Sequence, residues 1–208
     1  IDFLKKIQSC KMHQYLARLL CISVACLLFT AVSNANLGII SQFASQHGND
    51  WIGPISIALI FLGSGLGALY NGYIGRYPFS RVMFTGAVGW DIFCGFSVMF
   101  LYIGFENYIN AIIIVGSFGC GLIVSVYYNG VFNFVNECGN RDKKTKIYFG
   151  INLCFNQSSN ILGNACSALM IKPLGQKIYL FVMLGAGILF SLIFLCFNEF
   201  DQSETLIR

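Results

Sequence analysis

Charge is almost absent from the long apolar runs of this chain. Asp, Glu, Lys and Arg make up 11% of the residues against 56% hydrophobic, and they collect between the runs rather than within them. Too little polar material remains for a soluble domain. The formal charge of +4 marks topology, because the basic residues are spread over several connectors and only the stretch from Arg141 to Lys146 is dense. No nucleic-acid partner is expected, and that stretch reaches at most anionic lipid headgroups. Catalytic signatures are missing as well. An intramembrane serine protease needs Ser and His at membrane depth, but the two histidines, His13 and His47, fall outside the runs, and no G-x-S-x-G occurs. Ligands for a buried metal are lacking, and tyrosines with asparagines make no hydrolytic or redox centre. The reading is a non-enzyme with no cofactor and no metal. None of the nine cysteines has C-x-x-C spacing, and Cys21, Cys26, Cys94, Cys120, Cys154, Cys166 and Cys196 lie within apolar runs, where they pack as small hydrophobes.

What is present is a series of oily segments at about 17–40, 52–75, 82–104, 109–131, 148–171 and 177–197, each near the twenty residues that a bilayer core requires. The chain is therefore expected to be an all-α integral membrane protein with six transmembrane helices, a cytoplasmic segment before residue 17 and a cytoplasmic tail from residue 198. Alternate connectors carry the basic residues. One side holds Lys5, Lys6, Lys11, Arg18, Arg76, Arg81, Arg141, Lys143, Lys144, Lys146 and Arg208, and the other only Lys172 and Lys177. Retention of Lys and Arg in the cytoplasm then places both ends there, which needs an even number of crossings. The basic start, the apolar run Leu19 to Val32 and the small residues Ser33 and Ala35 imitate a secretory signal. Apolar character resumes at Leu37, Ile39 and Ile40, which favours an uncleaved first helix. Phe3, Leu4, Ile7 and Leu16 among lysines suit a short helix on the membrane surface.

Small and amide residues show which helix faces meet protein in a membrane. Gly63, Gly67, Asn71 and Gly75 recur every fourth residue, a packing stripe drifting by about 40° per step. The overlapping Gly63-Ser64-Gly65-Leu66-Gly67-Ala68 matches G-x-G-x-x-A, but no strand precedes it, so it is not a dinucleotide loop. In the fifth span Asn152, Asn156, Asn160 and Asn164 stand four apart, with Gln157, Ser159, Gly163 and Ser167 beside them. Stacked amides are costly against lipid, so they must face other helices or water. Thr30, Ser33, Asn34 and Asn36 join from the first span, and Tyr127, Tyr128, Asn129 and Asn133 from the fourth; the sixth span offers no such cluster. Spans one, two, four and five are thus expected to surround a polar interior with the sixth at the periphery. The amides serve either as interhelical glue or as the lining of a solute path. Asp91 is the acidic residue clearly within a span, roughly 15 Å into the third helix, with no basic residue in the interior of any span to pair with it. It must be protonated, paired or hydrated there, as a structural hydrogen-bonding group or as part of a proton or ion path.

Three stretches carry a resemblance. Phe29-Thr30-Ala31-Val32-Ser33-Asn34-Ala35-Asn36 is similar to the pattern that opens the uncoordinated-ninety-three family, a branch of the major facilitator superfamily. Tyr148-Phe149-Gly150-Ile151 followed by Asn156-Gln157-Ser158-Ser159-Asn160-Ile161-Leu162-Gly163-Asn164 resembles that family's fifth-helix signature, and Tyr128-Asn129-Gly130-Val131-Phe132 resembles the end of its fourth helix. The superfamily's loop between spans two and three is kept in part, at Gly72, Arg76 and Arg81, without its acidic residue. The resemblance implies one six-helix half of a twelve-helix, major-facilitator-type transporter fold. It also implies a missing C-terminal half, or a second copy, to cover the polar face. By the same resemblance the chain acts as a transporter-like regulator of an ion channel, notably a potassium channel, or as an escort of membrane receptors. Its alternative is a secondary transporter of a small solute coupled through Asp91. Fold alone does not choose between them.

Overall fold

The computed structural model describes residues 2–46, 50–70, 73, 77–103 and 109–197, and no strand occurs among them. The chain forms α1 (Asp2–Gln46), α2 (Ile52–Ala68), α3 (Phe79–Ile103), α4 (Ile109–Asp142) and α5 (Thr145–Ile193), closed by a single 3-10 turn at Phe194–Cys196. Within α1, α3, α4 and α5 lie stretches long and apolar enough to cross a membrane, while α2 is a shorter apolar helix. The protein is all-α and built for lipid. Phe61, Leu69, Val115, Ile161 and Leu169 are largely exposed, an arrangement that suits hydrocarbon and would be a liability in water.

Two elements differ in extent from the sequence expectation. α1 continues unbroken from Asp2 through residue 17, so the segment expected as a separate surface helix prolongs the first span along one axis of about 67 Å. α5 merges the expected fifth and sixth spans into 49 residues, about 73 Å if straight and more than twice a hydrocarbon core. It is not straight. Gly175 has φ +74° and ψ 156°, a combination open essentially to glycine alone, two residues after Pro173. The hydroxyls of Ser167 and Tyr179 lie 2.8 Å apart, whereas twelve residues of straight helix would hold their backbones about 18 Å apart. α5 therefore folds back on itself as two arms, residues 145–174 and 176–193.

Close approaches fix the helix directions. Gly63 abuts Phe118, Gly121 and Leu122, and Gly67 abuts Leu122 and Ser125, so α2 and α4 run parallel with their backbones in contact. A side chain at either glycine would collide with backbone or the Ser125 hydroxyl, and in lipid such dispersion contacts are what hold helices together. Met83 meets Gly130, Gly86 meets Tyr127 and Gly89 meets Ile123, which makes α3 antiparallel to α4. α1 is also antiparallel to α4, since Tyr15 lies under Arg141 and Phe29 packs on Tyr127 at 5.1 Å. Phe194 completes that aromatic group, 5.3 Å from Tyr127 and 5.7 Å from Phe29. The core runs from there through Leu19, Ile22, Met83, Phe134 and Val135.

These directions bring the basic residues together. Arg18, Arg81, Arg141, Lys143, Lys144 and Lys146 all sit at the end of the bundle where α3 begins and α4 turns into α5, and Lys172 and Lys177 flank the opposite, Gly175 end. At the basic end Arg141 Nε donates to Glu137 at 2.6 Å, Thr145 donates to Asn140 at 2.9 Å, and the Tyr148 hydroxyl donates to Asp142.

Candidate functional site

Two polar regions lie inside this apolar body. The first is a seam between α1 and the first arm of α5, which run parallel along it. Asn152 Nδ2 donates to Ser23 at 3.1 Å, the Thr30 hydroxyl shares its hydrogen between the Cys26 carbonyl at 2.5 Å and Asn156 Oδ1 at 3.2 Å, and Asn34 Nδ2 donates to Asn160 Oδ1 at 2.7 Å and to Ser159 at 3.3 Å. Gly163 extends the seam, with its α-carbon so close to α1 that a Cβ would fall on the Ala31 carbonyl. The close approach of the backbones and the amide bonds are thus parts of one interface.

The asparagine stripe does not stay on that interface. Each four-residue step rotates by about 40°, so the three steps from Asn152 to Asn164 turn about 120° around the helix. Asn152 is buried, Asn156 half-buried, and Asn160 and Asn164 are exposed, as is Gln157. Gln157 accepts only a long, 3.5 Å bond from Asn160. On α4, Asn133 is exposed, and Asn129 is half-buried with its Nδ2 unpartnered. Between α1, α4 and the first arm lies a cleft of about 180 Å³, counting its open mouth, lined by Cys26, Tyr127, Tyr128, Phe132, Asn152 and Asn156. It has no room for the centre of a water molecule.

The second region surrounds Asp91, which is 9% exposed and whose Oδ1 has no hydrogen-bond partner. One turn further along α3, the Cys94 sulfur accepts Asn36 Nδ2 from α1 at 3.1 Å, while Asn36 Oδ1 is buried and unpartnered. The second arm of α5 closes over Asp91. Ser191 lies beside the Asp91 carboxyl and donates to the Ile188 carbonyl at 2.9 Å. Gly187 leaves the space the carboxyl occupies, since a Cβ there would come 2.6 Å from Asp91 Oδ1.

Of the residues picked out in the sequence, the structure joins Asn34, Asn152, Asn156 and Asn160 into the seam with Gly163, and places Asn36 and Asp91 in the second region. Gly63 and Gly67 pack on α4. Gln157, Asn164 and Asn133 are not gathered into either, and Arg81 is exposed at the basic end. Asn71, Gly72, Gly75 and Arg76 lie outside the described residues. The expectation that the sixth span is peripheral holds for one face only: Tyr179, Met183, Gly187 and Ser191 are buried every fourth residue, opposite an exposed face of Phe181, Val182, Leu189 and Leu192. Gly187 and Ser191 repeat the small-residue spacing of Gly63 and Gly67, a signal present in the sequence. Ser23 and the Cys94 sulfur had none. Compared with protein-family models, curated proteins and solved structures, the chain matches nothing.

Proposed function

We propose that this chain is one six-crossing half of a major-facilitator-type body, with both ends cytoplasmic. In this reading it is a transporter-like accessory protein that regulates an ion channel, a potassium channel by the resemblance of its first, fourth and fifth helices, or escorts a membrane receptor. The observation that carries the choice is how the amides are used. Those on the inner side of the first arm are spent on α1, and the cleft they line is narrow. Gln157 and Asn164 instead face outward, where polar groups of another polypeptide or water must satisfy them. Such a surface suits binding better than conduction. The cover is a partner subunit, a C-terminal half or a second copy. A photo-crosslinking side chain at position 164 is expected to trap polypeptide, and one at position 189 to trap lipid. Lipid alone at both positions would end this reading.

A second reading, a secondary transporter of a small solute, draws support from the buried and unpartnered Asp91 Oδ1, since intramembrane carboxyls mark proton and ion paths. Proteoliposome uptake separates the two: Asp91→Asn abolishes uptake in a carrier, whereas in an accessory protein no uptake is there to lose, and Gln157→Leu with Asn164→Leu reduces partner co-purification.

A further inference from the structure

The Asp91 region poses a problem of hydrogen-bond supply. Asp91 Oδ1 and Asn36 Oδ1 are both buried acceptors with no donor among the described residues. The Ser191 hydroxyl lies within hydrogen-bonding reach of the Asp91 carboxyl and also of the Ile188 carbonyl at 2.9 Å, and its one hydrogen cannot serve both. Buried acceptors without donors are rare, and each asks what is missing. The missing partner at Asp91 must carry positive charge or hydrogen, because a carboxylate enclosed between α1, α3 and the second arm would have no counter-charge. Titratable neighbours do not supply one. On α3 the facing group is Cys94, and beyond it Cys120 of α4. α1 presents Val32 and Asn36, and the second arm presents Gly187 and Ser191; none of these is charged.

We infer that Asp91 is an intramembrane proton-binding site, and that the proton on its carboxyl is what keeps the second arm of α5 closed over it. The packing selects a proton over a metal cation. A hard cation gathers about six oxygens, and the second arm comes so close to the carboxyl that even a Cβ at Gly187 would lie 2.6 Å from Oδ1. A proton needs no such room. Binding converts the carboxylate to a carboxylic acid, which supplies the hydrogen that the pocket lacks and removes the charge that the arm would otherwise have to cover. Ionisation reverses both: the carboxylate must recruit water, and the second arm, the element over it, then has to move against the anchorage of Phe194 between Phe29 and Tyr127. The fold gives that arm a pivot, since Gly175 and Pro173 join it to the rest of α5. The inference requires only that the bundle lie in lipid, and holds for an accessory protein or a carrier.

The test uses the whole chain in lipid nanodiscs with two readouts. Infrared spectroscopy near neutral pH is expected to show a protonated-carboxyl stretch that disappears in Asp91→Asn. Hydrogen exchange read by mass spectrometry is expected to show protection of residues 177–193 falling as pH rises in the native protein, and not in Asp91→Asn at the same pH values, so that intrinsic exchange cancels. Cys94→Ala should keep the transition. A native spectrum with no such band overturns the proton site, as does loss of the band when sodium or potassium is added at fixed pH, which would make it a cation site. A band with pH-independent protection of the arm overturns the coupling, and loss of the transition in Cys94→Ala would assign it to the thiol. Should Asp91→Asn fail to fold, isotope-labelled aspartate in the native protein decides the first readout, because the stretch must then come from an aspartate shielded from water, and the native pH series against the intrinsic exchange rate decides the second.

Discussion

At the scale of single residues, identical side chains on one helix do different work. Asn152 is 1% exposed and donates to Ser23, itself fully buried, whereas Asn164 is exposed. Interhelical polar bonds in membrane proteins contribute about 0.6 kcal/mol on average and up to about 1.7, and removing a buried partner adds the cost of the group left behind, about 1–3 kcal/mol. Asn152→Ala is therefore expected to lower stability by about 2–4 kcal/mol, and Asn164→Ala by less than about 0.5 kcal/mol, read as denaturant-induced unfolding in mixed micelles. Equal losses would mean that the seam is not what holds α1 to α5. The existence of the amide stripe was legible from spacing alone. Which of its members are spent was not, because that depends on where α1 sits against a drifting stripe, and Ser23, the residue that decides it, is one serine among many in the sequence.

Elements are governed by where backbones touch. In α2, Gly63 and Gly65 are two residues apart and face opposite ways: a Cβ at Gly63 would fall on the Phe118 carbonyl, with Leu122 N at 3.0 Å and Gly121 Cα at 3.1 Å, while at Gly65 it would meet nothing within 4 Å. Backbone cannot move aside as a side chain can. Gly63→Ala is expected to cost about 1–3 kcal/mol as overpacking, and Gly65→Ala to be neutral or stabilising by up to about 1 kcal/mol through helix propensity. Unfolding of the two variants under one condition checks this, and a destabilising Gly65→Ala with a silent Gly63→Ala would contradict the α2–α4 packing. Gly175 makes a similar case on conformation alone. Its φ of +74° with ψ 156° is denied to residues with a Cβ, so Gly175→Ala should destabilise the α5 reversal by about 1–3 kcal/mol although nothing lies within 4 Å of it. The stripe at Gly63 and Gly67 announced itself in the sequence through its four-residue period. The division of α5 was legible as a polar interruption around Lys172 to Lys177, but its helical hydrogen bonding runs almost to the turn, which apolar periodicity cannot reveal. The same limit hid the role of the second arm, whose buried face of Tyr179, Met183, Gly187 and Ser191 carries little polarity to announce it.

For the whole molecule, the strongest signal was the distribution of charge, and the structure gives it a spatial form. Residues from three separate connectors, Arg18, Arg81 and the group Arg141, Lys143, Lys144 and Lys146, come to one end of the bundle, with Lys172 and Lys177 at the other. That convergence follows from the alternating helix directions, which the glycine and aromatic contacts establish. Basic residues near an anionic leaflet are each worth roughly 1 kcal/mol, so the group at the α4–α5 turn weighs more than the pair at the Gly175 end. A cysteine-free background with Lys144→Cys or Lys177→Cys, in sealed vesicles of known sidedness, is then expected to react with a membrane-impermeant maleimide from opposite faces: position 144 from the cytoplasmic face and position 177 from the other. Labelling of both from one face would mean that α5 does not reverse across the bilayer. Opposite labelling with the sides exchanged would leave the bundle intact and show that charge does not orient it. Neutralising Lys143, Lys144 and Lys146 together should leave folding unchanged and send a minority of molecules into the opposite orientation, because it takes three of the eleven basic residues from that side, against two on the other, while the glycine and amide contacts that join the helices stay in place.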